Sequence, residues 1–227
     1  MSEQVLVVPA SCFYKLGGFN GFSSDWQRYG PVLLDPNHLQ FLPRDQAEYD
    51  PTYKQLIPYV VLCHAGRLFH YRRVGGSEKR LTARRSIGLG GHINPCDCQS
   101  GNDPYRAGLL RELAEEADLP SYEETILGIL NDDRTLVGRV HVGIVHLLTL
   151  SEPRVLLREP TLAAGGFASV EELRRHASDF ESWSQFLLEA WPSLCRSSTP
   201  GVGVYSANNS ASSTPSPSTP SIARSST

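Results

Sequence analysis

Glu112, Glu115 and Glu116 stand at i, i+3 and i+4, with Arg111 directly before them and Asp118 just after. On a helix that spacing gathers the three carboxylates onto one face. Each like-charge pair costs a few tenths of a kcal/mol, and Glu115, Glu116 and Asp118 also crowd the negative end of the helix dipole, where cations are preferred. Several local rules broken at one place mark a site where function overrides stability. A hard divalent cation would convert the repulsion into coordination, because Mg2+ takes carboxylate oxygens together with water and substrate phosphates. The competing reading is a solvated charged face on which Arg111 partly neutralises Glu115.

The elements that must position these residues surround them in the chain. Pro104 suits a first helical position, where its missing N–H leaves nothing unpaired, and Asp103 before it can cap the exposed N–H groups. Leu109, Leu110, Leu113, Ala114 and Ala117 recur at helical spacing on the other side and predict the buried stripe. Residues 86–89 read as a short strand that delivers Gly90 and Gly91, whose access to positive φ lets the backbone approach a ligand closely. His92 follows on the same path and joins them as a candidate substrate contact. Cys96 and Cys98 could begin a zinc site, but a closed site needs about four ligands and no second pair is spaced to supply them.

Upstream, residues 56–63 and 68–73 are apolar and aromatic runs separated by His64-Ala65-Gly66-Arg67, the pattern of a β-hairpin. The second strand runs out into a basic stretch, Arg67, Arg72, Arg73, Lys79, Arg80, Arg84 and Arg85, opposed only by Glu78. Guanidinium forks match phosphate oxygens bidentately, so Arg72 and Arg73 are candidate phosphate contacts; a solvated basic loop beside an acidic helix is the plain alternative. Residues 31–55 show no clear period. Downstream, residues 125–131 and 139–150 read as strands joined by a turn that opens at Asp132-Asp133 and closes at Gly138. Strand alternation puts His141 and His146 on opposite faces, which prevents them from joining one ligand set. Residues 169–172 form a capping-box start, and the apolar positions of 180–191 repeat at helical spacing up to Pro192, a stripe built for core packing.

The run Arg111-Glu112-Leu113-Ala114-Glu115-Glu116, with Gly90-Gly91 ahead and Leu119 behind, resembles the signature of the Nudix (MutT-like) hydrolases, G-x5-E-x7-R-E-U-x-E-E-x-G-U, where U is a bulky aliphatic residue. The R-E-U-x-E-E part is matched without a gap. The departures are eleven residues between Gly91 and Asp103, Asp103 in the place of the first Glu, and Asp118 in the place of the last Gly. The runs "LIPYVVL", "SIGLGGHIN", "LNDD" and "VGRVHVGIVH" extend the resemblance, over most of residues 1–192, to the branch described as predicted MutT-like phosphoesterases. The resemblance implies an α/β/α sandwich with a mixed β-sheet, the signature helix on one side and the C-terminal helices on another. It implies hydrolysis of a phosphoanhydride in a nucleoside diphosphate linked to another group, with Mg2+ or Mn2+ held by Glu112, Glu115 and Glu116. Arg72, Arg73, Gly90, Gly91 and His92 would border the substrate. The general base would come from the cluster, Glu115 foremost with Glu116 beside it, or be Glu159 from the loop before the C-terminal helices. In another class altogether, the enlarged loop and Asp103 support a Nudix-like module that binds a nucleotide without cleaving it.

At 227 residues the chain suits one sizeable domain plus a tail. The expected division is an N-terminal extension over 1–55, a Nudix domain over 56–194, and a Ser/Thr/Pro-rich tail over 195–227 with too few large apolar side chains to order. A net charge of −3 points to neither a nucleic-acid polymer nor an anionic membrane surface. Five scattered cysteines fit reduced thiols in a cytosol. The start lacks a basic, apolar leader, and no run approaches the roughly 20 apolar residues of a membrane span. The expectation is a soluble cytoplasmic protein acting on a small-molecule nucleotide-type substrate, its oligomeric state open.

Overall fold

The computed structural model describes residues 2–75, 84–98, 103–194 and 205–206. Glu78, Lys79 and Arg80 of the basic stretch lie outside the described residues. Strand β4 (Tyr53–His64) pairs in parallel with β10 (His141–Leu150), from His141 beside Gln55 to Thr149 beside Cys63. Antiparallel β9 (Tyr122–Asn131) flanks β10, while β5 (Arg67–Arg73) and then β12 (Leu162–Ala168) flank β4. The order is therefore β12-β5-β4-β10-β9 within one mixed sheet. The expected hairpin closes at Ala65 (φ 48°) and Gly66 (φ 73°), the two positive φ values whose twist matches the strands they join.

Side chains alternate along the central pair and feed two cores. Leu56, Val60 and Leu62 with Val142, Ile144 and Leu148 share one core with Tyr105, Leu109 and Leu113 of α4 (Pro104–Glu116), Phe13 of α1 (Ala10–Lys15), and Tyr29 and Leu33 of α2 (Trp26–Leu33). Tyr59, Val61 and Val145 share the other with Leu173 of α6 (Val170–Arg175) and Leu187, Leu188 and Trp191 of α7 (Ser182–Leu194). A sheet apolar on both faces needs helices on both, so this is the expected α/β/α sandwich. Past the hairpin β4 and β5 part, and short strands fill the gap: β6 (Arg85–Ser86) pairs with β5 and β7 (Gly88–Leu89) with β4. The sheet splays there and a cleft opens.

The structure departs from the sequence reading in four places. Residues 31–55, without a visible period, hold the end of α2, β3 (Gln40–Pro43), α3 (Arg44–Ala47) and the start of β4; elements of four residues are too short to show one. Strand β1 (Gln4–Pro9) pairs with both β3 and β4, so the N-terminal segment continues the same sheet. On α4 the buried line is Tyr105, Gly108, Leu109, Leu113 and Glu116, whereas Leu110 is 40% exposed and Ala114 faces solvent. The inward face is rotated toward the carboxylates. Finally, α7 runs past Pro192 to Leu194, although the proline has no N–H to give to the helix. In the tail, Tyr205–Ser206 pairs with Glu124 and Glu123, drawing on the open backbone groups of β9, and residues 195–204 and 207–227 lie outside the described residues. Among the described residues no helix is long and apolar enough to cross a membrane.

Candidate active site

Both ends of α4 are defined by side-chain and strand chemistry. Asp103 accepts the Tyr105 N–H at 2.9 Å and Pro104 takes the first helical position, as the sequence predicts. At the other end Ala117 is extended and β8 (Ala117–Asp118) pairs with β11 (Leu156–Leu157). Arg158 seals this join, its N–H donating to Glu116 O at 2.8 Å and its Nη1 to Ala114 O at 3.0 Å. The small two-stranded sheet is what carries Glu159 back to the end of α4.

The cleft at the splay has a volume of about 630 Å3, and Arg73, Glu112, Glu159, Gly90 and His92 line one part of it. Glu116, 6% exposed, lies just beneath and accepts the Gly90 N–H on Oε2 at 2.7 Å. Burial pushes its carboxyl up to about 8; Glu159 and Glu112 add to the rise, while Arg73 and the Gly90 N–H oppose it. Burial likewise raises Glu112, with Glu115 and Asp97 adding and Arg111 opposing. The two glycines let backbone and carboxylates meet: a Cβ on Gly90 (φ 134°) would come within 1.9 Å of Pro58 O, and one on Gly91 within 2.3 Å of Glu112 Oε2.

Of the residues singled out by sequence, Glu112, Glu116, Glu159, Arg73, Gly90, Gly91 and His92 converge here. Two do not. The Glu115 side chain is 62% exposed and held by Arg111 Nη1 at 3.3 Å, outside the cleft lining. Arg72 is exposed and alternates to the other face of β5 from Arg73, whose Nη2 donates to Tyr71 Oη at 3.1 Å. His141 and His146 face opposite sides, as alternation requires: His141 lines the cleft, and His146 meets Tyr105 of α4.

Asp97 corrects the alignment made from sequence. Arg111 grips it bidentately, Nε to Oδ1 at 2.9 Å and Nη2 to Oδ2 at 3.0 Å, while donating to Glu112 Oε1 at 2.7 Å and to His92 O at 2.9 Å. Burial works to raise the Asp97 carboxyl, but Arg111 and the Asn94 N–H hold it below the usual range. Asp97 lies on a 3-10 turn, Pro95–Cys98, whose cysteines are exposed. Gly91-x5-Asp97 preserves the first spacing of the family pattern, so the extra length falls after the acid: thirteen residues separate Asp97 from Arg111 where the pattern has seven. Asp103 caps the helix and is not the motif acid. Counting forward from Gly91 would have found Asp97; counting back from the helix concealed it.

A second feature missed by sequence is the aromatic wall. The Trp183 ring meets Tyr59 edge-on at 5.7 Å and lies over Gly143, where a Cβ would come within 2.9 Å of the indole. Trp183 lines the cleft and Phe180 backs it from the core that Leu187 and Trp191 also fill, so the stripe read as core packing also supplies a cleft wall.

Glu112, Glu116 and Glu159 are hard oxygen donors, and burial, with neighbouring carboxylates adding, makes the first two costly to ionise without a cation beside them. Among the described residues no three His, Cys, Asp or Glu side chains stand close enough to enclose an ion alone.

The fold is shared with a solved structure. No family model matches the chain. Tm1382, described as a candidate Nudix hydrolase and solved by crystallography, superposes with a TM-score of 0.70 at 31% identity, over 85% of this chain and 99% of its own. Protein YmaB of Bacillus subtilis (strain 168) is 34% identical over 200 residues, covering 83% of this chain and 97% of YmaB. The chain belongs to the Nudix (MutT-like) family.

Proposed function

We propose that the chain hydrolyses a phosphoanhydride in a nucleoside diphosphate linked to another group, with Mg2+, replaceable by Mn2+, at Glu112 and Glu116 and with Glu159 beside them. The observation that carries this reading is the buried Glu116, its carboxyl pushed up to about 8 by burial beside Glu159 and Glu112, with the Arg73 guanidinium opposing the rise. Glu112 and Glu116 would hold the divalent cation, which would offset charge on phosphate oxygens and make water easier to deprotonate. Arg73 presents its guanidinium to the same phosphates. Glu159, in the cleft and anchored by the Thr161 hydroxyl, accepts a proton from the attacking water. Arg111, fixed on Asp97, holds Glu112 and the His92 carbonyl in register with the end of α4. Trp183 and Tyr59 offer the leaving portion an aromatic wall. Asp97, at the motif spacing, is engaged by Arg111 and stands outside the cleft lining, so an Asp in place of the motif Glu bears on the seating of the helix more than on the metal carboxylates.

The test is to incubate the protein with Mg2+ and a panel of nucleoside diphosphate sugars, dinucleoside polyphosphates, coenzyme A derivatives and oxidised nucleoside triphosphates. Product from one class, lost in Glu112→Gln and Glu159→Gln, is the expected result. Tight binding without product from any class would instead establish the binding module.

A further inference from the structure

The part of the cleft remote from the carboxylates is built by one loop. Asp132, Thr135, Val137, Gly138 and His141 line it, between β9 and β10, with β4 separating them from Arg73 on β5. Strand β10 thus stands two strand spacings, about 10 Å, from Arg73's strand, while His141 at the end of the loop meets His92, ring centroids 5.8 Å apart. Its one helical turn, α5 (Leu136–Arg139), is held by the Thr135 Oγ1 cap on the Gly138 N–H at 3.0 Å. A Cβ at Gly138 would come within 1.7 Å of Asp132 O, so the loop closes tightly on itself.

Beneath this loop lies Lys54, a lysine with no exposed surface. Its Nζ donates to Asp133 Oδ1 at 3.0 Å and to the carbonyls of Arg139 at 3.1 Å, Gly138 at 3.4 Å and His141 at 3.4 Å. Every acceptor belongs to the 133–141 segment. The rings of Phe13 and Tyr14 complete the enclosure, each centred 5.5 Å from Nζ. The N-terminal segment grips the same loop from outside: Asn20 Oδ1 accepts the Asp133 N–H at 2.6 Å, the Tyr14 hydroxyl bonds Asp133, and Phe19 O accepts from Asn131 Nδ2 at 2.6 Å. Burying an ammonium costs desolvation that an apolar side chain of similar length would avoid. What only the ammonium provides is several convergent donors on the back of a loop whose front lines the cleft.

We propose that Lys54 is a positioning residue for substrate selection: with the N-terminal segment it holds the 133–141 loop in the shape that admits the group beyond the phosphates. This rests on the nucleotide-type reading of the cleft, and the experiment separates the two. Lys54→Met removes the donors while keeping the length; the double variant Tyr14→Phe with Asn20→Ala, both exposed, loosens the same loop without touching the core and serves if Lys54→Met fails to fold. Amide hydrogen exchange at Gly138, Arg139 and Val140 should accelerate by about tenfold or more in either variant. In Mg2+ buffer, calorimetry with a nucleoside diphosphate should show about tenfold weaker binding, while inorganic pyrophosphate, which has no group to reach the loop, should change less than about twofold. Equal weakening of both probes, or of neither, overturns the role in selection. A parent that binds neither probe overturns the nucleotide reading, and unchanged exchange overturns the clamp by itself.

Discussion

Glu116 closes α4 and Glu124 meets Arg106 near its start; both are buried, and their carboxyls move in opposite directions. Glu124 on β9 is 2% exposed and Glu116 is 6% exposed, so burial pushes both upward. At Glu124 the push is overcome: Arg106 Nη1 at 2.6 Å and His146 Nδ1 at 2.9 Å share its Oε1, and the carboxyl falls below its ordinary value. An ionised carboxylate only accepts, so His146 presents Nδ1–H to it and takes the Tyr105 hydroxyl on Nε2 at 2.8 Å. Burial keeps that imidazole neutral, its pKa lowered. At Glu116 burial prevails: Glu159 and Glu112 add to the rise, and Arg73 and the Gly90 N–H do not offset it. The helix is anchored where charge is matched and poised for a ligand where it is not.

The largest test of that contrast removes the matched end. His146→Ala takes one of two donors from Glu124 and leaves the Tyr105 hydroxyl without its partner, and should cost about 3–5 kcal/mol in urea unfolding, about 1–3 for each buried group left short of a partner plus the void left by the ring. A loss under about 1 kcal/mol would show that the network anchors nothing. Next comes Glu116→Gln in metal-free buffer. The folded protein keeps the Glu116 proton from about 4.5 to about 8, where the unfolded chain has released it, so stability falls as pH rises through that window and levels off above it. Gln accepts the Gly90 N–H without charge, and the variant should match the parent near pH 4 and exceed it at pH 9 by on the order of 3 kcal/mol. A gain independent of pH would break the comparison.

Two smaller tests sharpen it. Asp97→Asn should lower kcat/KM by about 1.5–3 kcal/mol through the lost charge-assisted grip on Arg111, whereas Asp103→Ala should cost about 1 kcal/mol of stability and leave kcat/KM near the parent. The reverse pattern would restore Asp103 as the motif acid. Arg73→Ala should weaken kcat/KM by a similar 1.5–3 kcal/mol, and Arg72→Ala should stay within about 0.5 kcal/mol of the parent in both activity and stability. Equal effects from the two arginines would mean that strand alternation does not decide which one meets substrate.

What could be read from sequence was whatever rests on local rules. The cap at Asp103, the proline after it, the 64–67 turn, the Ser169–Glu172 capping box and the opposite faces of His141 and His146 all follow from interactions within a few residues, and all are present. What escaped depends on meetings between distant segments. Glu159 reaches Glu116 only because β11 pairs with β8. Trp183 follows the same helical period as its core neighbours, and periodicity cannot tell a wall facing a cleft from one facing a sheet. Lys54 looks like a surface residue in a strand; its burial is set by oxygens some 80 residues further along the chain. Glu115 and Glu116 are adjacent with identical chemistry, yet only the rotation of α4 against the sheet decides which one is buried.

The Asp97–Arg111 grip also bears on how this chain can tolerate change. Asp97 is tied to the helix directly and Asp103 starts the helix by its own cap, so each is fixed independently of the chain that joins them. Lengthening a connector between fixed points costs only about 0.6 kcal/mol per doubling, a loop-closure entropy that grows slowly. Insertions there, including a fluorescent or affinity tag, would leave both anchors intact, whereas the same insertion between Gly91 and Asp97 would pull the acid off its arginine and release the end of the helix that carries the carboxylates.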